Sequence, residues 1–314
     1  MARTLSYLSL IVAAICFGTI PVFSFYLSSL GVPSLQQSLF RALFTVLYLF
    51  IIIGGVYRFR NQRIKREHLP WFILYGLLGV GASIIAYITA IAIGTPVIVA
   101  VSLTYLYPSF TLILARIFLQ EHLTRLRVIA VPLSIIGAIV VSLPVDIGAM
   151  SIPVLGIILS IANGVFAACY VVLGRKWGGH EGYPELTTTF WGYILGLLWM
   201  GPLILGIHFV ISDPRIVGFQ IFLSPTAWLL LLGFALIGTT IPYTLTNVGV
   251  KNIDASAASI LLLLDPISAV IMGYFFMNQP VAFWQFIGAT LILLATVLIA
   301  IESKSDNAAR EIPG

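Results

Sequence analysis

Ten stretches of about twenty or more mostly apolar residues, each long enough to cross a bilayer as a helix, dominate this chain. They fall at 5–30, 34–57, 69–91, 96–118, 123–143, 152–174, 184–211, 225–248, 255–277 and 280–301. Breaker signals separate them, among them Gly-Val-Pro (31–33), Gly-Thr-Pro (94–96), Ser-Asp-Pro (212–214) and Asn-Gln-Pro (278–280). In lipid no water satisfies the backbone, so a spanning chain forms helices or a closed barrel. Period-2 alternation is absent, which leaves helices. Only 9% of the 314 residues are charged and 60% are apolar, whereas a soluble domain carries about a quarter charged residues. So few charges cannot coat a water-soluble protein of this size. The first apolar run is too long for a signal core and is followed by no small-x-small site, so it reads as a retained span. Cys16 and Cys169 lie within apolar runs and read as small packing residues.

Basic residues orient the bundle. With the N-terminus inside, the cytoplasmic side receives fourteen of the sixteen Lys and Arg residues, leaving Arg215 outside and Arg41 within a span. Both termini are then cytoplasmic, and the plasma membrane is the expected location. The dense cluster Arg58, Arg60, Arg63, Lys65 and Arg66 reads as a topology anchor attracted to anionic headgroups rather than as a nucleic-acid site.

The halves repeat. Residues 102–143 align without gaps to 260–301, pairing Tyr107-Pro108 with Asp265-Pro266 and Gln120-Glu121 with Asn278-Gln279. Earlier, Phe40-Arg41-Ala42 pairs with Phe190-Trp191-Gly192, and the Gly18 region with that of Gly164. Five spans per unit is an odd number, so the second unit enters the membrane upside down. Inverted repeats mark secondary transporters, whose sites lie near the midplane. The expected fold is all-α and integral to the membrane: ten transmembrane helices as two inverted five-helix repeats, 1–147 and 148–302, with a short tail at 303–314.

These residues carry a resemblance. Cys16-Phe17-Gly18, Phe40-Arg41-Ala42, Tyr107-Pro108 with Leu119-Gln120-Glu121-His122-Leu123-Thr124, Ala167 to Arg175, and Leu264-Asp265-Pro266 through Gly288-Ala289 occur in order and in duplicate. In this the chain resembles the drug/metabolite transporter superfamily, specifically its EamA-like ten-helix group. The resemblance implies alternating access by two bundles rocking around a central cavity. Members usually carry an acid where Gln279 stands, so this chain departs from the pattern there.

Asp265 is the one acid placed deep in a span, at about its middle. An acid at the bilayer centre costs about 2.5–3.5 kcal/mol on insertion scales, so it must face protein or water. Pro266 has no N–H, which strips the Leu262 carbonyl of its helical partner, and Pro108 does the same to Thr104. Both prolines are hinge candidates. Two roles stand open for Asp265: a proton-coupling or amine-binding group, or a protonated carboxyl bonded to a neighbouring helix. Other polar residues recur on single helical faces. Asn163 and Tyr170 lie in the sixth segment, Tyr243 and Asn247 in the eighth, Tyr105 in the fourth, and Tyr87 in the third. With Trp191 and Arg41 they complete the cavity candidates, against the alternative that such stripes simply glue helices together. Arg41, about two turns below the outer surface, either snorkels, pairs internally or meets a substrate carboxylate.

No HExxH, P-loop or G-x-S-x-G pattern occurs, so no enzyme is expected, and no metal or cofactor. The partners expected are a small organic solute, the lipid bilayer and, as a candidate coupling ion, the proton; the chain acts as a monomer or dimer. One interior acid and one shallow arginine suit a zwitterion, which favours export of an amino acid or related metabolite. A facilitative or proton-coupled drug or amine efflux carrier is the alternative, and a channel-like pore the alternative of another class.

Overall fold

The computed structural model describes residues 2–57, 63–143, 153–209, 211 and 213–310. Arg58, Arg60, the junction expected at 147/148 and the last four residues lie outside them. Among the described residues, nine helices are long and apolar enough to span a membrane: Arg3–Ser29, Ser34–Gly55, Arg66–Ile91, Val99–Phe118, Arg125–Ser142, Val154–His180, Glu185–Ile207, Pro225–Val250 and Ala255–Met277. A shorter apolar helix, Phe283–Ile299, is the tenth. They are spans 1 to 10 below. The last belongs to a helix running Phe283–Arg310, so residues 303–310, expected as a tail, continue span 10 as helix.

Three spans are not continuous: span 1 breaks at Gly18-Thr19, between Ala2–Phe17 and Ile20–Ser29, and spans 4 and 9 break as a matched pair. Span 4 consists of Val97–Thr104 (4a) and Tyr107–Phe118 (4b), and span 9 of Ala255–Leu262 (9a) and Asp265–Met277 (9b). Each second half carries its proline in the first turn, where a missing N–H leaves no bond unmade. The junctions are tight turns of the same form. Leu106 N–H donates to the Leu103 carbonyl at 3.2 Å, and Leu264 N–H to that of Leu261 at 3.1 Å. Both pairs are 158 residues apart. The breaks are therefore one feature built twice.

The same spacing recurs in the backbone. Among described non-glycine residues only Gln120 (φ 56°) and Asn278 (φ 52°) are left-handed, and they end spans 4 and 9. After each the chain folds back, Glu121 N–H to the Ala115 carbonyl at 3.2 Å and Gln279 N–H to that of Gly273 at 3.1 Å. Wide π-turns interrupt span 3 at Leu77–Ala82 and span 8 at Leu236–Thr240. Such turns loosen the helical ladder locally and often sit beside functional sites.

Buried residues of spans 1, 4, 5, 9 and 10 form one apolar core, and those of spans 2, 3, 6 and 7 another. Apolar residues such as Leu198, Phe275 and Leu293 point outward, where lipid replaces water. Small residues let helices cross closely. A Cβ on Gly18 would stand 2.5 Å from Ser268 Cβ just beyond the span 9 break, and one on Gly164 3.1 Å from the Thr104 carbonyl just before the span 4 break. Spans 1 and 6 thus press against the two junctions. Spans 5 and 10 meet at Gly137 and Gly288, where a Cβ on Gly137 would lie 2.8 Å from the Gly288 carbonyl.

Because backbone rather than a flexible side chain fills that space, Gly137→Val should force spans 5 and 10 apart. We expect a loss of about 1–3 kcal/mol, seen as a lower unfolding midpoint in detergent; an unchanged midpoint would contradict the close crossing.

Candidate functional site

The breaks in spans 4 and 9 cross. Tyr107, the first residue of 4b, donates its hydroxyl to the Ser259 carbonyl of 9a at 2.8 Å. Tyr105, in the span 4 junction, directs its hydroxyl at the carboxyl of Asp265, the first residue of 9b. Asp265 therefore stands at the N-terminus of a half-helix at mid-depth, where the helix dipole favours negative charge. Its Oδ1 is buried and has no hydrogen-bond partner within the protein. A buried acceptor left this way carries a penalty of about 1–3 kcal/mol until something donates to it.

The second charge is Arg41 on span 2. Its guanidinium lies 5.0 Å above the Phe234 ring, within electrostatic reach of the Tyr87 and Tyr193 hydroxyls. Its Nε is likewise buried and unpartnered. Tyr87 in turn neighbours Tyr105. Aromatic rings line the adjoining wall: Tyr243 meets Phe17, Tyr170 and Tyr193 edge-on at 5.0, 4.9 and 5.4 Å. Among the described residues no group of three or more His, Cys, Asp or Glu side chains is placed to hold a metal.

A chain of this duplicated helical form has counterparts among known proteins. The EamA-like transporter family matches residues 4–143 and again residues 154–301. The chain belongs to this family. Two uncharacterized transporters of Archaeoglobus fulgidus are each 26% identical to it, one over 93% of this chain and 94% of its own length, the other over 87% and 89%. The uncharacterized transporter YyaM of Bacillus subtilis is 27% identical over 80% of this chain and 78% of its own. A solved structure, titled only as the crystal structure of a protein, superposes with a TM-score of 0.74 over 96% of this chain and 98% of its own at 16% identity, which shows the shared fold.

The remaining candidates of this EamA-like transporter divide by how their polar groups are used. Asn163 accepts from Ser83 at 2.6 Å and donates to Thr104 at 2.9 Å. It ties span 6 to span 3 and to the last residue before the span 4 break. The Asn247 amide nitrogen lies 2.9 Å from the Thr189 hydroxyl, 3.0 Å from Tyr170 and 3.3 Å from Tyr75. That amide is consumed in joining spans 3, 6, 7 and 8, and Asn247 is 1% exposed. Tyr170 also stacks on Tyr75 at 5.0 Å and donates to the Tyr243 carbonyl. Trp191, half-buried on span 7, packs edge-on against Phe190 at 6.0 Å. Tyr105 faces Asp265, and Tyr87 lies within electrostatic reach of both Tyr105 and Arg41; Asn163 and Asn247 brace the surrounding helices. Pro108 and Pro266 sit at the two junctions.

Sequence reading missed a second polar centre, at the end of the bundle that carries the basic residues. Arg127, counted as a loop charge, is 6% exposed. It reaches Asp254 at 2.6 Å, Glu302 at 2.9 Å, Ser256 at 3.0 Å and Glu121 at 3.7 Å. Glu121 caps helix 9a, accepting from Ala255 N–H at 2.6 Å, Ser256 N–H at 3.2 Å and the Ser256 hydroxyl at 2.6 Å. Arg175 bonds the Val250 carbonyl at 3.0 Å and that of Lys251, and lies 3.6 Å from Asp254. A cavity of about 30 Å³ lined in part by Arg3, Tyr7, Arg127, Asp254 and Glu302 opens beside these groups. That is room for about one water, not for an organic solute. The one local signal was Thr124, one residue before Arg125 and three before Arg127, a helix-start residue whose Oγ1 accepts from Arg127 N–H at 3.3 Å and so sets Arg127 in the first turn of span 5.

Replacing Asn247 with Leu should strip the Tyr75 hydroxyl of its amide partner and remove one bond each from Tyr170 and Thr189, which keep the Tyr243 and Glu185 carbonyls. We expect about 1–3 kcal/mol of destabilisation, measured by thermal unfolding. The carrier's ranking of solutes should not change, since the amide has no free group to offer one. A re-ordered ranking at normal stability would place Asn247 in the site instead.

Proposed function

We propose that this chain is a secondary carrier of small zwitterionic solutes, an amino acid or closely related metabolite, working by alternating access. The observation that carries this reading is a pair of mid-depth groups of opposite charge with buried, unpartnered atoms, Asp265 Oδ1 and Arg41 Nε, set apart from the ion-paired charges of the basic end. A solute amine answers the carboxyl, a solute carboxylate answers the guanidinium, and the pair is neutral overall when both are charged. Tyr243, Tyr193 and Phe17 supply apolar and π surface for a side chain. Between Asp265 and the span 9 break there is no intervening residue, so occupancy of the carboxyl acts directly on the junction about which span 9 bends. The distribution of Lys and Arg supports an orientation with both termini in the cytoplasm. Arg41 then lies between the midplane and the outer surface, with the plasma membrane as the location and export as the direction.

A second reading has its own support. The Asp265 carboxyl among tyrosine rings also suits an organic amine, for which Arg41 would be an obstacle. The two readings part at Arg41.

Reconstituted in liposomes, Asp265→Asn should reduce counterflow of a zwitterionic substrate by at least about tenfold, the loss of one charged contact in a desolvated site. Arg41→Gln should raise KM for the zwitterion by a similar factor while sparing a monoamine. Retained zwitterion transport in Arg41→Gln would favour the amine carrier. An unchanged rate and pH profile in Asp265→Asn would remove that residue from the mechanism. A steady single-channel conductance would replace the carrier with a pore.

A further inference from the structure

The ends of the broken spans are not treated alike. At the end carrying the basic residues, 4b packs closely on 9a, and charge seals the contact. The Glu121 carboxylate, at the end of 4b, takes the first two N–H groups of 9a, and Arg127 beyond it takes Asp254. At the opposite end the pseudo-equivalent halves, 4a and 9b, make at most marginal contact among the described residues. The bundle is closed at one end and parted at the other.

The repeat dictates what would close the parted end. Glu121 follows the left-handed Gln120, and Gln279 follows the left-handed Asn278 with the same backbone turn. The helix capped by Glu121 begins at Ala255; 158 residues earlier, 4a begins at Val97, behind Pro96. Arg127 corresponds to Gln285 and Asp254 to Pro96, so no charge stands at either position. In this structure Gln279 is exposed and its Oε1 is turned back over Gly273 on its own helix, where a Cβ would meet it at 2.8 Å. Gln285 instead accepts from Ala282 N–H and donates to the Val141 carbonyl.

We propose that Glu121, Arg127 and Asp254 form a latch holding the basic end shut, and that Gln279 is its uncharged counterpart, swinging onto the first turn of 4a when the other end closes. This rests on the alternating-access reading. A carboxylate capping a helix N-terminus binds more strongly than a neutral amide, and the arginine pair adds to one end alone. The two states are therefore unequal, and the carrier rests closed at the basic end. With the orientation proposed above, it rests closed to the cytoplasm and open outward. Solute must bring the halves together at the outer end against this bias, and Gln279 sets how large the bias is.

Distances between spin labels test this without any substrate, so a wrong choice of solute cannot disguise the result. One pair, at Val97 and Phe276, reports the outer ends of 4a and 9b. A second, at Phe118 and Asn252, reports the basic end. In the parent protein the outer pair should be predominantly long and the basic-end pair short. Gln279→Glu should raise the population with a short outer and long basic-end distance by roughly tenfold, and Gln279→Ala should lower it. Glu121→Gln should move the population in the same direction as Gln279→Glu. Because Gln279 is an exposed side chain, its two variants carry the test even if loss of Glu121 prevents folding. If Gln279→Glu and Gln279→Ala both leave the two distance distributions as in the parent, or shift them opposite to these expectations, the proposal is overturned. Should the latch variants shift the distances while counterflow of every tested zwitterion is absent, the latch stands and the substrate assignment falls.

Discussion

The backbone at mid-depth has nowhere to find water, and the rest of this structure follows from how that is solved. A proline inside a continuous transmembrane helix strands a carbonyl in hydrocarbon. Pro108 and Pro266 instead each fall in the first turn of a new half-helix, so the missing N–H falls where a helix has none to satisfy. The solution creates a short non-helical turn that must be shielded from lipid, and shielding draws neighbours in. Gly18 brings span 1 against the span 9 junction, Gly164 brings span 6 against the span 4 junction, and Asn163 bonds to the last residue of 4a. The polar middle of the bundle is thus a consequence of two interrupted helices meeting, and it would exist whatever solute the protein carried.

The charges sort by the same physics. Ionised groups placed in a low-dielectric interior persist only when paired or solvated. At the basic end they are paired: Arg127 engages three carboxylates, and Lys251 holds Glu185 at 2.7 Å. At mid-depth they are not. Asp265 has a tyrosine hydroxyl on one side and nothing on Oδ1, and Arg41 has an aromatic face and an unmet Nε. Arg127 is buried against three carboxylates, whereas Arg41 is half-buried and, among the described residues, has an aromatic face and no ion pair. This difference in pairing is what the ligand role proposed for Asp265 and Arg41 rests on.

Much of the architecture was legible because it rests on long-period signals. Twenty-residue apolar runs survive any error in their exact boundaries, and a repeat at fixed spacing is visible even where residues differ, as Tyr107-Pro108 and Asp265-Pro266 do. The prolines announced both junctions. The polar stripes were a different matter. Helical spacing placed Asn247 and Tyr170 on inward faces, but a face turned inward meets either a cavity or another helix, and only three-dimensional packing tells which. Asn247 went to helix packing. Arg127 was misread for the opposite reason. Two arginines beside a span end satisfy the rule for topology charges equally well, although one of them points into the bundle and meets acids supplied by residues 254 and 302, far off in sequence. No local pattern contains that information.

Where the halves differ is where a symmetric fold acquires direction. Two identical inverted units would give outward- and inward-facing states of equal free energy and a midplane with matched groups on both sides. Several aligned pairs break that equality by setting a charged residue against a neutral one, among them Arg41 against Trp191, Asp265 against Tyr107, and Glu121 against Gln279. The first two give the polar middle a positive and a negative pole from different halves, so a solute that touches both bridges the units that must move. The third makes the closures at the two ends unequal. In the proposed mechanism the duplicated scaffold supplies the rocking, and the residues that fail to repeat set what is held at the centre and which side stands open when nothing is bound.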